Sequence, residues 1–210
     1  MAERLLLADE HIIVRDGVKS LLLYEGFEVV AEVSDGCDAV AAAAKLSPDV
    51  AVLEISMPLL NGIDAARQIH AGNPRTKVIL LTMHNNEQYV LEALRSGVKG
   101  YVLKTQTGAD LVQAIRTTLR GEIYLSPGIS EGVVNAALTK SVAKVDFLTQ
   151  RERQILQLIA EGKSNKVIAQ QLDMSVKTVE SHRGNIMKKL DVHETAGLVR
   201  YAIKIGLIQP

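Results

Sequence analysis

Five apolar runs of strand length punctuate the first part of the chain: Leu5 to Ala8, Val29 to Val33, Val50 to Leu53, Val78 to Leu81 and Gly100 to Leu103. They are rich in Val, Ile and Leu and barely alternate with polar residues, which is how strands buried on both faces read. Such strands belong to a parallel sheet wrapped by helices. Helix-length segments fill the gaps, at Ile12 to Tyr24, Asp38 to Leu46, Ile63 to His70, Glu87 to Ser96 and Ala109 to Arg120. Several run into glycine (Gly26, Gly72, Gly97, Gly121), as helix C-termini often do. Five successive βα units predict a flavodoxin-like, five-stranded open sheet.

The pattern changes after Gly121. Tyr124-Leu-Ser-Pro-Gly128 reads as a turn, Ile129 to Thr139 as one short helix, and Lys140 to Asp146 as a linker. A chain of 210 residues, 47% apolar, is too apolar for disorder and long enough for two cored domains. The expected division is an α/β domain over 1–122, a linker with a short helix over 123–146, and an all-α domain over 147–210. Charge follows the same division. Residues 1–143 hold 13 Lys/Arg against 17 Asp/Glu and residues 144–210 hold 11 against 7, so net −4 precedes net +4. A basic C-terminal third beneath an acidic body is the asymmetry of a nucleic-acid module on a carrier that does not touch nucleic acid. The single Cys37 excludes an internal disulfide, and no signal peptide or bilayer-length apolar stretch is present. A reduced, cytoplasmic setting without membrane contact is expected.

Chemistry in an open parallel sheet gathers outside the carboxyl ends of the strands. The residues just past runs one, three, four and five are Asp9 with Glu10, Glu54, Thr82 and Lys104. Asp9 and Glu10 suit a hard divalent cation such as Mg²⁺, which takes oxygen ligands and keeps several waters. Lys104 offers a point positive charge and Thr82 a hydrogen bond to a phosphoryl oxygen. The carboxylate at 54 is the attacking or charge-bearing group. Each residue alone reads as a loop acid, a strand-end cap or a surface lysine; the argument rests on all of them falling at strand ends together.

The stretches Ala8-Asp9-Glu10-His11, Ile55-Ser56-Met57-Pro58 with Asn61-Gly62, Leu81-Thr82 and Gly100-Tyr101-Val102-Leu103-Lys104 resemble the receiver domain of bacterial two-component response regulators over residues 3–121. The resemblance implies a phosphoacceptor at position 54, a cation held by Asp9, Glu10, Glu54 and the Ser56 backbone carbonyl, and a switch pair formed by Thr82 and Tyr101. This chain departs from the family at one place, with glutamate where the pattern has aspartate. The extra methylene moves the carboxylate outward by about 1.5 Å, and misplacement of about 1 Å already costs about a hundredfold where in-line geometry matters. Glutamate also puts a single negative charge nearer to where a phosphoryl group would sit, against nearly two charges for the phosphate. With every other pocket residue intact, the change reads as a phosphomimetic or engineered substitution in an otherwise competent receiver. A third reading of the residue is structural, a Glu54–Lys104 ion pair that locks a constitutive state; for the whole chain, a natural pseudo-receiver working independently of phosphorylation is the alternative.

The last third opens with Thr149-Gln-Arg-Glu152, a capping-box signature, followed by apolar Ile155, Leu156, Ile159 and Ala160 on one helix face. Ser164 caps a second helix through Leu172, and Ser175 a third from Val176 to Leu190, so two helices meet across a tight link with helix-turn-helix spacing. A fourth apolar-faced helix is expected from Glu194 to Ile205. Leu148-Thr149, Arg151-Glu152-Arg153, Ala160 to Lys166, Ile168-Ala169 and Ser175 to Ile186 resemble the LuxR/NarL-type helix-turn-helix domain over residues 147–208. That resemblance makes Val176 to Leu190 the recognition helix. Lys177, Glu180, Ser181 and Arg183 are then expected to face the major groove, and Lys163, Asn165, Thr178, Lys188 and Lys189 to contact phosphates. Gly184 occupies a further outward position and offers no side chain.

Together the two halves imply a NarL-type response regulator: a transcription factor binding double-stranded DNA as a homodimer, with a sensor histidine kinase as partner of an aspartate form. An Mg²⁺-dependent phosphohydrolase is a rival that leaves the helix-turn-helix unexplained.

Overall fold

The computed structural model describes residues 2–85, 87–129, 148–205 and 207–208. The chain divides into two compact units, Met1–Ser141 and Val142–Pro210. In the first, strands β1 (Arg4–Ala8), β2 (Glu28–Val33), β3 (Val50–Leu53), β4 (Lys77–Thr82), β5 (Gly100–Leu103) and β6 (Tyr124–Leu125) alternate with helices α1 (Ile12–Tyr24), α2 (Gly36–Leu46), α3 (Gly62–Gly72), α4 (Glu87–Arg95) and α5 (Gly108–Leu119). All pairings are parallel, in the order β2-β1-β3-β4-β5-β6. The chain leaves β1 toward one edge and returns on its other side with β3, so a crevice opens at the carboxyl ends of these two strands.

Strand periodicity explains how one sheet carries two cores. Leu5, Leu7, Val50, Val52, Ile79, Leu81 and Val102 face α1 and α5, where they meet Leu22, Leu111, Val112, Ala114 and Ile115. Their neighbours Leu6, Ala8, Ala51, Leu53, Val78, Leu80, Tyr101 and Leu103 face the other way, toward α2, α3 and α4. Every residue of β3 is buried, which is why the run never alternates in polarity. The edge strand β2 instead exposes Glu28 and Glu32, charges that discourage further strand pairing.

The sheet has six strands, not the five expected. Tyr124–Leu125, read from sequence as part of a turn, pairs with Gly100 and Tyr101 of β5. Two residues are too short to leave a periodic signature. The Ser126 hydroxyl then accepts the N–H of Leu103 at 2.9 Å and ends the pairing. Gly26, Gly97 and Gly121 adopt positive φ past their helices, whereas Gly72 is simply the last residue of α3.

The second unit comprises α6 (Gln150–Ala160), α7 (Asn165–Gln171), α8 (Val176–Leu190) and α9 (Thr195–Lys204). Thr149 and Glu152 form the capping box, and Ser164 and Ser175 cap α7 and α8 through their hydroxyls. Ile155, Leu156, Leu158, Ile168, Val179, Ile186, Leu198 and Ala202 build its core, so α9 covers apolar surface of its own unit. The short helix expected over Ile129 to Thr139 lies, beyond Ile129, outside the described residues, as does the linker over Lys140 to Asp146.

Candidate functional site

The sheet delivers Asp9 after β1, Glu54 after β3, Thr82 as the last residue of β4 and Lys104 after β5. Glu54 is buried. One of its oxygens, Oε1, accepts from the Thr82 hydroxyl at 2.6 Å and from the backbone N–H of Ile55 at 2.6 Å. The other, Oε2, lies 2.6 Å from Lys104 Nζ. Lys104 also donates to Asp9 Oδ2 at 2.5 Å, so a single ammonium bridges two buried carboxylates. The second Asp9 oxygen accepts the His11 backbone N–H at 2.8 Å. Backbone bonds fix the stems: Glu54 N–H donates to Ala8 O and Lys104 N–H to Thr82 O, both at 2.8 Å. The loop after Glu54 folds back so closely that a Cβ at Gly62 would stand 2.0 Å from the Glu54 carbonyl oxygen. Only glycine fits there.

Further side chains pack around this bridge. The Tyr101 ring is fully buried and its hydroxyl donates to the His84 carbonyl at 2.8 Å. Burial, reinforced by the charge of Glu54, pushes the Tyr101 phenol well above its ordinary range, so it remains a donor. His84 stacks on Tyr89, ring centroids 4.3 Å apart, and its Nε2 lies 3.0 Å from Ser56 Oγ. Burial lowers the His84 pKa below its ordinary value of 6.5, with Glu54 opposing, so a neutral ring prevails at pH 7. For Lys104 burial works against the charge, but Glu54 and Asp9 outweigh it and raise its pKa. Arg15 of α1 donates to the Asp9 carbonyl at 2.6 Å and lines, with Asp9 and Glu54, a cavity of about 10 Å³.

Of the residues expected to hold a cation (Asp9, Glu10, Glu54 and the Ser56 carbonyl), the structure brings Asp9 and Glu54 together around one ammonium. Glu10 faces solvent, and the Lys104 ammonium lies between the other two carboxylates. Among the described residues no cluster of three or more His, Cys, Asp or Glu is disposed to hold a metal ion. Asp9, Glu54 and the Ser56 carbonyl are the oxygens that would hold Mg²⁺, which takes oxygen ligands and keeps several waters, were the Lys104 ammonium displaced.

In the second unit, α8 turns Val179 and Ile186 into the core and leaves Lys177, Thr178, Glu180, Ser181, Gly184, Lys188 and Lys189 exposed. Lys163 is exposed in the loop before α7. Four of the expected contacts, Arg183, Asn165, Lys189 and Thr178, have partners within the domain. Arg183 sits on the flank of the helix, donating to Asn165 Oδ1 at 3.4 Å and to the Thr195 hydroxyl, and so ties α8 to the first turns of α7 and α9. Lys189 donates to Glu152 Oε2 at 2.7 Å. Burial of Glu152 opposes its ionisation, but hydrogen bonds from Lys189 and Thr149 outweigh that and hold the carboxyl below its ordinary 4.5. The Thr178 hydroxyl shares a bond with Ser175, the cap of α8, at 2.7 Å.

Residues 5–116 match the family described as response regulator receiver domain, and residues 146–202 match bacterial regulatory proteins, luxR family. The chain belongs to the two-component response regulators. Its relatives agree along the whole length. The oxygen regulatory protein NreC of Staphylococcus epidermidis is 38% identical over 216 residues, covering 98% of this chain and 99% of that protein. NreC of Staphylococcus carnosus is 37% identical over 214 residues, with the same coverage. Among solved structures, the RcsB response regulator of Salmonella typhimurium aligns with a TM-score of 0.65 at 29% identity, covering 98% of this chain and 99% of that one. A structure of an RcsB–DNA complex aligns at 0.57 and 30% identity, covering 96% and 98%. This response regulator therefore joins a receiver to a DNA-binding LuxR-type domain; its family is regulatory rather than enzymatic.

Within the receiver, the structure brings Asp9, Glu54, Thr82 and Lys104 into one network and leaves Glu10 outside it. Sequence reasoning overlooked Arg15 and His84. Arg15 carried a faint signal, because it follows Asp9 by six residues on the helix that packs over β1. His84 carried none beyond lying two residues past Thr82. In the LuxR-type domain the sequence did hold the clue to Arg183, which is four residues after Val179 and three before Ile186, on the side of α8 that packs inward.

Proposed function

We propose that this response regulator is a transcription factor in which Glu54 supplies a built-in negative charge, holding the receiver near the state a phosphoryl group would select. Dimerisation and promoter binding then follow from that state. The observation that carries the reading is that Thr82 and Lys104, the hydroxyl and ammonium suited to a phosphoryl group, both bind the Glu54 carboxylate. Tyr101, the other member of the switch pair, is fully buried with its hydroxyl satisfied by His84. In a two-state receiver, charge at position 54 acts by biasing the population. Glutamate provides one charge and no third oxygen, so the bias is partial. Mg²⁺ takes no part in this reading. An aspartate form would take its phosphoryl group from a sensor histidine kinase. No helix among the described residues is long and apolar enough to cross a membrane, and a cytoplasmic site of action accords with this reading.

DNA is assigned to the exposed face of α8, with Lys177, Glu180 and Ser181 toward base edges and Lys163, Asn165, Thr178 and Lys188 toward phosphates. Arg183 and Lys189 serve this interface by holding the helix.

The test compares molecular mass in solution and DNA affinity for the chain as it stands, Glu54→Ala and Glu54→Asp, with and without beryllium fluoride. Lower dimerisation and affinity in Glu54→Ala, and a fluoride response confined to Glu54→Asp, are expected. Equal affinity in all three forms sinks the charge-mimic reading. The closed Glu54–Lys104–Asp9 bridge favours one second reading, a pseudo-receiver fixed in a single state, for which neither substitution nor fluoride changes the output.

A further inference from the structure

A glycine in the middle of an exposed helix asks for an explanation, since only proline is worse there. Gly184 lies in the interior of α8, exposed. It is absent from the residues with positive φ. A Cβ added to it meets nothing within 4 Å. Some glycines of the molecule have internal reasons: a Cβ at Gly36 would stand 1.9 Å from Leu60 O and one at Gly197 would crowd Val192 at 3.2 Å, whereas Gly17 within α1 is, like Gly184, exposed with nothing within 4 Å. Nothing among the described residues requires glycine at 184. Its surroundings on the helix surface are Lys177, Glu180, Ser181 and Lys188, at seven, four and three residues before and four after, all exposed. Gly184 is therefore a bare patch at the centre of the outer face, with an ammonium toward either end.

We propose that Gly184 determines specificity by clearance: without a Cβ, the backbone of α8 reaches a base-pair edge of double-stranded DNA at a depth that any side chain would block. This rests on the assignment of α8 as the DNA-reading helix. The fit is tight on general grounds, because a helix with side chains is about 10–12 Å across and the major groove about 12 Å wide. Lys188 is placed to hold a flanking phosphate and Lys177 to reach a base edge, which leaves the centre of the face to the backbone at Gly184.

The inference makes stability and affinity move in opposite directions. The full-length protein is used to select duplexes from a library with a randomised centre, and the selected duplex and a scrambled one then serve as probes. Gly184→Ala should raise the melting temperature of the C-terminal unit by about 4 °C. It should weaken binding to the selected duplex about tenfold while leaving the scrambled duplex nearly unchanged. Gly184→Leu should weaken the selected complex further. Undiminished affinity in both variants, or equal losses on both probes, overturns the clearance role. So does a lowered melting temperature in Gly184→Ala, which would mean that the glycine serves the fold. Lys177→Ala separates this from the underlying assignment. If it binds as tightly as the parent, or if the parent selects nothing, α8 is not the reading helix and both fall. If it weakens binding while the Gly184 variants do not, clearance alone is refuted.

Discussion

The rim of the receiver and the outer face of α8 are both charged, but their charges are spent differently. At the rim, buried Asp9 and Glu54 and half-buried Lys104 are bound to one another, with Thr82 and the Ile55 amide completing the set. On α8, Lys177, Glu180 and Lys188 are exposed and make no ion pair among the described residues. A closed set of charges fixes a conformation, because breaking one member strands the others in low dielectric. An open set costs little to alter and is available to an external phosphate or base. The difference separates a setting from an output.

The largest effect should therefore come from removing the shared cation. Lys104→Met leaves the Asp9 and Glu54 carboxylates apposed without compensation, and should destabilise the receiver by about 3–5 kcal/mol, as for other buried pairs broken on one side. Urea unfolding of the N-terminal unit measures this. An unchanged midpoint would mean that the two carboxylates do not depend on Lys104. The pH dependence has a definite sign. The folded-state pKa of Lys104 is raised, so its contribution is complete below the ordinary 10.5 and lost as pH climbs through the higher folded value.

Arg183 belongs to the closed class although it lies on α8, the helix to which DNA reading is assigned. Its bonds to Asn165 and Thr195 join three helices, so Arg183→Ala should cost about 1.5–3 kcal/mol of stability in the C-terminal unit, the range for hydrogen bonds to charged groups. DNA affinity falls with it in proportion to the population that unfolds or misplaces α8. If affinity drops while the melting temperature holds, Arg183 is a groove contact after all.

How much of this was legible in one dimension follows the same division. The parallel sheet was plain, because strands buried on both faces leave unbroken apolar runs, as Val50 to Leu53 does. The positions Asp9, Glu54, Thr82 and Lys104 were plain too, since strand ends converge. What the sequence could not supply was the choice of partner. Whether Lys104 meets Glu54, Asp9 or both depends on side-chain torsions, and Glu10 lies outside the network although it adjoins Asp9. The same holds for the bond of Lys189 to Glu152, which spans 37 residues. Nothing local in either segment foretells it. Tyr124–Leu125 escaped for the opposite reason, a strand too short for any period.

Glu152 gives a smaller, acid-side effect within the closed class. Its folded-state pKa is depressed by Lys189 and Thr149, so the stability it lends is present above the ordinary 4.5 and lost as pH falls through the lower folded value. Lys189→Ala should flatten that acid limb and cost about 1 kcal/mol at neutral pH, given a partly exposed ammonium. A limb of unchanged steepness, followed by circular dichroism between neutral and acid pH, would remove Lys189 from the class of bracing residues and return it to the phosphate-facing set.

The smallest stability effect is expected from the open class, and it sharpens the comparison most. Lys177→Ala and Lys188→Ala remove exposed charges that have no ion-pair partner among the described residues, so each should change unfolding free energy by no more than about 0.5 kcal/mol. Each should nevertheless lessen the dependence of DNA affinity on salt by about one unit of log–log slope if its ammonium displaces a counterion at a phosphate. A lysine that reads a base instead weakens the selected duplex more than the scrambled one, with much less change in slope. The two slopes thus sort Lys177 from Lys188, and a loss of stability in either would show that the α8 face is tied into the fold as closely as the receiver rim is.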